Sequence, residues 1–465
     1  MVNVQQQQDN KNIDKLLRVL VFALIFSVMN GTMFNVALPM ISEQFSLLPS
    51  QASWVLSGYM IVFAIGSVVY GKLADRFQMK NLITFGLYLF AFGSIVGMFA
   101  HQYWLVVAGR LLQAAGASVL PAVSMIIPVR YFPIEQRGKA LGITAVGLAL
   151  GAALGPIVAG LVSNFGSWRL LFLLSIISLA TVPFFRKYLQ QEQVTQVKFD
   201  YSGAALLAAT VALLLLSITQ SNLWLLVVAV LLFGLFLARI HTAQDPFIEP
   251  ELFKNSKYSL GLFIAFLSTS MNFGLSFMTP QFLTSLHGLT PASIGMVMFP
   301  AAICAAFLGK KGGRLADQKG NMFLAMVATS LMFVCFALLS SALELPAYWI
   351  ALFLIAGNIG VTFMQIAMSN TVSKTLLKHQ VGVGMGLLSL MNFISGAIAM
   401  GTIGKLLDGQ QTALQLNPIV NQSAAFIYSN IFLAMSSIII VIIMLYRIVF
   451  RDEVVLVAKK GSATL

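Results

Sequence analysis

The sequence predicts an all-α membrane protein of fourteen transmembrane helices with both termini in the cytoplasm. Three observations carry this: the composition, the length of the apolar stretches, and the side on which positive charge falls. Hydrophobic residues make up 58% of the 465 and charged residues 9%, with a mean hydropathy of +0.88. A soluble domain this apolar would aggregate, so the main solvent of the chain is lipid. Crossing about 30 Å of hydrocarbon takes roughly 20 residues of helix. The chain divides into such stretches at 16–39, 50–71, 82–100, 104–128, 140–163, 168–187, 202–219, 223–241, 259–284, 291–312, 322–343, 347–372, 379–406 and 425–447.

Charge orders these elements across the membrane. A polar, Gln-rich arm at 1–15, expected to be disordered and cytoplasmic, brings Lys11 and Lys15, with Arg18 just beyond it. The gaps after even-numbered stretches hold Lys72, Arg76 and Lys80; Arg130, Arg137 and Lys139; Arg186, Lys187 and Lys198; Arg239, Lys254 and Lys257; Lys310, Lys311, Arg314 and Lys319; and Lys374 and Lys378. Arg447 and a cytoplasmic tail at 449–465 with Arg451, Lys459 and Lys460 complete twenty-five of the 28 basic residues. Only Arg169 and Lys405 fall on the other side, and Arg110 alone lies within a stretch. Basic loops resist translocation, which produces this asymmetry. The net charge of +13 is therefore a topology signal, and no basic run is interleaved with aromatics as a nucleic-acid surface would be. The first apolar run is long enough to span, so no cleavable signal is expected. Cys304 and Cys335 fall within stretches and read as small core residues.

A repeat divides the chain. Gly71-Lys72-Leu73-Ala74-Asp75-Arg76 recurs 242 residues on as Gly313-Arg314-Leu315-Ala316-Asp317-Gln318. Six helices with their loops, at roughly 30 residues each, would repeat at about 180, and the excess is one helical hairpin. The expected organisation is an N-terminal half at 16–190, two inserted helices at 200–243, and a C-terminal half at 257–448. The inserted helices are nearly pure Leu, Val, Ala and Phe, as expected of helices that face lipid and line nothing.

Further motifs accompany the repeat: Asn35-Val36-Ala37-Leu38-Pro39 closes the first stretch, Arg110-x-x-Gln113-x-x-Gly116 lies in the fourth, and Arg137-Gly138-Lys139-Ala140 precedes the fifth. Gly147, Gly151, Gly155, Pro156 and Gly160 lie within the fifth, and Asp245-Pro246-Phe247 leads to Leu252-Phe253 after the eighth. In this order the set resembles the major facilitator superfamily, and within it the fourteen-helix drug:proton antiporter branch that includes tetracycline efflux proteins of Gram-positive bacteria. The resemblance covers essentially the whole chain. It implies the major facilitator fold, two six-helix halves plus two inserted helices.

Gly147, Gly151 and Gly155 at four-residue spacing remove three side chains from one helix face and let a neighbour approach closely, and Pro156 then removes an amide donor. The resemblance implies that this contact seals a leak path while the halves rock, and that Asp75, with Arg76, latches the cytoplasmic side, Asp317 being the second copy. Asp75 is read as part of a loop between the second and third helices, left by a tight exit at Gly71. A latch of this kind needs only a few kcal/mol to bias two states. Arg110 sits about six residues into its helix, roughly 9 Å along the axis. There it either meets partners inside the membrane or snorkels to the surface. Gln113, one turn on, shares its face.

The expected substrate pocket lies between the halves. Its polar candidates include Asn30, Arg110, Gln113, Asn272, Gln281, Asn358, Gln365 and Asn392; its apolar candidates include Phe34, Tyr59, Phe273, Phe277, Met278, Met364 and Met368. One departure from the family pattern stands out. Where the tetracycline exporters carry membrane glutamates, this chain has Gly31, Ala152 and Gly396, and where the branch often has an aspartate in helix 1 it has Asn30. Proton antiport needs a group that titrates inside the membrane, and each of the fifteen acids reads as lying outside mid-membrane. Neutral, zwitterionic or anionic amphiphiles suit such a cavity better than cationic ones.

The function these readings favour is alternating-access export of amphiphilic compounds, such as antibiotics, across the plasma membrane. The partners are a small amphiphile, membrane lipid and a proton or another cation, and the chain acts as a monomer. The alternatives are an uncoupled facilitator and a lipid or glycolipid flippase. No cofactor is expected: the chain lacks a phosphate-binding Gly-rich loop with Lys and Ser/Thr, and its few His and acids form no catalytic or metal constellation.

Overall fold

The computed structural model describes residues 2–132, 134–163, 167–189, 200–244, 246–377, 380–409 and 414–450. In chain order the α-helices are α1 (Val2–Phe45), α2 (Pro49–Ala52), α3 (Trp54–Arg76), α4 (Met79–Met98), α5 (Tyr103–Ala117), α6 (Val119–Tyr131), α7 (Ile134–Ser163), α8 (Leu170–Ile176), α9 (Val182–Tyr188), α10 (Tyr201–Gln220), α11 (Leu223–Thr242), α12 (Ser256–His287), α13 (Pro291–Lys319), α14 (Asn321–Ala342), α15 (Ala347–Lys374), α16 (Val381–Leu407) and α17 (Ser423–Val449). Among the described residues, thirteen segments are long and apolar enough to cross a membrane, and Val146–Val162 within α7 is a shorter apolar one. The chain is thus an all-α polytopic membrane protein.

Several elements differ from the hydropathy reading for local reasons. The fourth stretch breaks at Ser118 between α5 and α6. Pro121 has no amide to give the Ala117 carbonyl and its ring crowds that oxygen. The sixth stretch runs as α8, a 3₁₀ segment at Ile177–Thr181, and α9, where Pro183 denies a bond to Leu179 in the same way. α1 begins at Val2, so the backbone of the arm is helical where a disordered arm is expected. Gly71 to Arg76 completes α3 and Gly313 to Lys319 completes α13, so both copies of the repeat are helix ends. Gly71 makes no tight exit, and nothing lies within 4 Å of where its Cβ would be. The turn that ends α13 is at Gly320, with φ +87°, in the left-handed region open to glycine.

The described chain forms two compact units. The first comprises Met1–Leu47, Trp54–Leu213 and Val228–Phe247, the second Leu48–Ser53, Leu214–Val227 and Ile248–Leu465. Of the inserted pair of helices, Leu214–Val227 falls in the second unit and the remainder in the first.

Within the first unit, α1 packs along the glycine face of α7. A Cβ at Gly151 would come within 2.7 Å of the Ile25 carbonyl oxygen, and one at Gly155 would strike Thr32. α4 and α5 meet as closely: a Cβ on Gly93 would lie 2.7 Å from the Gly109 oxygen. Absent side chains thus let backbones touch where association has no water to drive it. α11 is largely exposed, with Leu223 72% and Trp224 79% accessible, as a lipid-facing helix should be. α10 is different. Ala205, Ala208, Ala209 and Ala212 line an apolar groove of about 900 Å³ with residues of α3, α4 and α5, which overturns the expectation that this helix lines nothing.

The cytoplasmic-side expectation gave no role to Asp200, yet its carboxylate ties the inserted pair together. Oδ1 accepts from Ser202 Oγ (2.8 Å), Gly203 N (3.0 Å) and Arg239 Nε (3.1 Å), and Oδ2 from Phe247 N (3.3 Å). Burial alone would raise its pKa, but the bonds from Gly203, Ser202 and Arg239 and the guanidinium charge outweigh it and hold the carboxyl below its usual range. Asp200 therefore caps α10 and anchors the end of α11 and the segment after it.

Candidate functional site

Two polar clusters inside the spanning segments gather predicted site residues, one in each unit. The first is built on Arg110 of α5. The guanidinium is fully buried. Nε donates to the Val55 carbonyl oxygen (3.2 Å), and Nη1 donates to Asn30 Oδ1 (2.6 Å) and Gln113 Oε1 (2.9 Å). Asn30 Nδ2 donates to Ser175 Oγ, and Gln113 Nε2 to Ser94 Oγ at 2.7 Å. The Phe34 and Tyr59 rings lie 4.1 and 4.0 Å from the guanidinium carbon.

Packing and helix periodicity bring these groups to the cation. The Gly93–Gly109 contact brings α4 within reach of Gln113. Asn30 and Phe34 lie one turn apart on α1 and present an amide and a ring to the same charge. Burying an unpaired cation costs several kcal/mol; hydrogen bonds to charged groups return about 1.5–3 kcal/mol each, and a desolvated ring face about 2. Amide oxygens and π faces, with no carboxylate among the described residues, thus balance the charge. Arg110 does not snorkel. With Asn30, Phe34, Arg110 and Gln113 each at 0% exposure and Tyr59 at 4%, the expected substrate contacts of this unit form a closed polar core. Arg110 Nη2 and the Tyr59 hydroxyl have no hydrogen-bond partner among the described residues.

The second cluster is open. α12, α15 and α16 enclose a cleft of about 140 Å³. Its polar lining is Ser268, Thr269, Asn272, Gln365, Ser369, Ser389 and Asn392, and its apolar lining includes Phe273, Met364, Met368 and Phe393. None of its lining residues is charged. Thr269 Oγ1 donates to Asn392 Oδ1 at 3.0 Å. Gly396 permits this assembly, since a Cβ there would run into the Phe273 ring.

Of the predicted substrate contacts, the structure therefore gathers Asn30, Phe34, Tyr59, Arg110 and Gln113 in one place, and Asn272, Gln365 and Asn392 in another. Phe277, Gln281 and Asn358 are not part of the cleft lining. Phe277 is core, Gln281 Nε2 is buried without a partner among the described residues, and Asn358 Nδ2 donates to the Leu354 oxygen of its own helix. Of the gating candidates, Gly147, Gly151 and Gly155 face α1, Pro156 is buried within α7, and Arg76 is exposed, 5.7 Å from the Phe77 ring. The side chains of Asp75 and Asp317, and all of Asp245, lie outside the described residues.

Sequence reasoning misses Ser94, Ser175 and Thr269, each hydrogen-bonded into one of these networks. It misses Asp200 too, although Asp200-Tyr201-Ser202-Gly203 ahead of an apolar run has the form of a helix N-cap. The α3–α10 groove is lined by apolar side chains apart from Trp54 and Tyr70, and holds no cluster of polar groups to orient a ligand.

Both clusters lie within segments long and apolar enough to cross a membrane, and among the described residues no group of three or more His, Cys, Asp or Glu could hold a metal ion. The Major Facilitator Superfamily profile matches residues 20–400. The chain belongs to that superfamily. This superfamily member is 26% identical over 396 residues to the riboflavin transporter RibZ of Clostridioides difficile (strain 630), covering 83% of this chain and 86% of that protein. It is 23% identical over 418 residues to the methylenomycin A resistance protein of Bacillus subtilis (strain 168), covering 87% and 90%. Its fold matches the crystal structure of a point mutant of the nucleoside transporter NupG with a TM-score of 0.67 at 14% identity, over 94% of this chain and all of that one. As a superfamily member with bacterial relatives, it is a multi-pass protein of the bacterial plasma membrane.

Proposed function

We propose that this superfamily member is a secondary-active exporter of small amphiphilic compounds, of the fourteen-helix drug:proton antiporter branch, working as a monomer by alternating access with both termini in the cytoplasm. The observation that carries the reading is the uncharged cleft of α12, α15 and α16, where amides and hydroxyls face aromatic and thioether walls. Such a lining bonds many ligand shapes and adapts to them through Met. The names of two relatives, a riboflavin transporter and an antibiotic resistance protein, support amphiphilic cargo. In this reading the α1–α7 glycine contact seals the leak path, and Asp75, at the end of α3, is the acid left to link transport to protons.

A second reading, an uncoupled facilitator, is favoured by Asn30. Its amide does not titrate, and both of its ends are engaged, Oδ1 by Arg110 and Nδ2 by Ser175. Proteoliposomes decide between them. Accumulation of riboflavin or an antibiotic against its gradient when a proton gradient is imposed supports the exporter, and equilibration indifferent to the proton gradient supports the facilitator. Movement of fluorescent lipid would point instead to a flippase. If Asp75→Asn leaves proton-driven accumulation intact, the coupling role given to Asp75 is wrong.

A further inference from the structure

We propose that the α12–α15–α16 cleft seats one uncharged, flat ring with an amide or imide edge, such as a pyrimidinedione, at the end of a larger amphiphile. The inference rests on the transport reading and adds the chemistry of what is carried.

Size sets the first limit. A volume of about 140 Å³ is close to that of an engineered cavity of about 150 Å³ that takes one benzene. One six-membered ring fits, and the remainder of a fused ring system projects from the cleft. The walls set the second. Phe273 and Phe393 supply ring surfaces, and Met364 and Met368 supply polarizable sulfur, all of which favour a π face over a saturated one. Charge sets the third: a carboxylate, phosphate or ammonium entering the cleft gives up its hydration and meets no opposite charge in the lining.

Hydrogen bonding then selects the edge of the ring. Thr269 takes one of the two lone pairs of Asn392 Oδ1, and the Asn392 N–H donors ask the ligand for a carbonyl oxygen. Asn272 and Gln365 each bring a donor and an acceptor to the same cleft. An edge that alternates C=O with N–H satisfies such a set. A plain hydrocarbon ring satisfies none of it and leaves buried amides unpaired, the costly arrangement.

The test is equilibrium binding of lumiflavin, an uncharged flavin ring with an imide edge, to the full-length protein in lipid nanodiscs, followed by flavin fluorescence. N3-methyl-lumiflavin, whose imide N–H is blocked, and N3-carboxymethyl-lumiflavin, which adds a charge, serve as comparisons. Saturable lumiflavin binding is expected, weakened roughly 10-fold or more by N3-methylation, the loss of about one buried hydrogen bond, and further by the carboxymethyl group. Asn392→Leu and Asn272→Leu should each weaken lumiflavin binding by about 10-fold while the melting temperature holds within about 2 °C, since each replaces an amide at an open cleft. The proposal is overturned if lumiflavin does not saturate, if the N3-methyl compound binds equally, or if both folded variants bind as the parent does. Riboflavin flux in proteoliposomes separates this from the transport reading. Imide-selective binding without flux overturns transport and leaves the ring site; flux indifferent to N3-methylation overturns the ring site and leaves transport.

Discussion

The two units put the same residue type to opposite uses. Asn30 in α1 and Asn272 in α12 are separated by the 242-residue repeat offset. Asn30 is fully buried, clamped between Arg110 and Ser175, whereas Asn272 lines an open cleft. The difference is the cation. Where a guanidinium lies in the membrane, every amide and ring in reach is drafted to stabilise it, and none remains for a ligand. In the cleft of α12, α15 and α16 no lining residue is charged, and no cation engages the amides of Asn272, Gln365 and Asn392. The comparison teaches that a fixed charge buried in a membrane helix commits the polar groups around it to the fold.

Removing that charge should have the largest effect. Arg110→Ala leaves Asn30 and Gln113 buried without their donor, and a loss of about 3–5 kcal/mol is expected, as for other broken buried ionic contacts. The check is the melting temperature of purified protein in detergent, together with flux. Arg110→Lys keeps the charge but loses the planar fork and the stacking between Phe34 and Tyr59. It should recover part of the stability and little of the transport. If the lysine variant transports fully, Arg110 acts as a point charge and its planar fork is irrelevant.

Next is the glycine face that positions α1. Gly151→Val places two methyl groups against the Ile25 backbone, and overpacking of this kind costs about 1–3 kcal/mol. Because α1 carries Asn30 and Phe34, melting temperature and flux should fall together. Gly234→Val, in lipid-facing α11 with nothing within 4 Å of its Cβ position, should change neither.

The smallest expected effect is at Asp200, far in function from both clusters. Its folded pKa is lowered, so its contribution is complete above the unfolded value of about 3.9 and is lost as pH falls through the lower folded value. Asp200→Asn should therefore melt lower than the parent by a constant margin from pH 7 down to about 4, with the margin closing below that pH. A margin that does not change as pH falls would show that the carboxylate charge is not what anchors α10 and α11.

How much of this was legible in the sequence follows from what each residue must do. The spans are legible because hydrocarbon thickness imposes a length on each apolar helix. The interruptions at Ser118 and at Ile177–Thr181 are invisible to hydropathy, because they come from single missing amides at Pro121 and Pro183. Gln113 is legible beside Arg110, one turn on along the same face, whereas Asn30 is legible only as a polar pocket residue and its bond to Arg110 is not. Ser94 and Ser175 are not legible as partners. Their hydroxyls donate back to their own helix, to Phe90 and Leu171, as that of Ser124 does to Pro121 and that of Ser178 to Ser175, and nothing in the sequence marks these two as the ones that also accept from Gln113 and Asn30. The split of the expected substrate contacts into a closed core and an open cleft is likewise a matter of packing, set by Gly93, Gly109 and Gly396 meeting particular neighbours.

The most direct test of this account makes the same change on both sides of the repeat, Asn30→Leu and Asn272→Leu, and measures melting temperature and lumiflavin affinity on each folded protein. Asn30→Leu should lower the melting temperature by several degrees, as expected when about 1–3 kcal/mol of buried charged hydrogen bonding is lost. Asn272→Leu should leave it nearly unchanged and weaken lumiflavin by about 10-fold. The reverse pattern, with Asn272 holding the fold and Asn30 governing affinity, would contradict the division between a locked cation in one unit and a neutral binding cleft in the other.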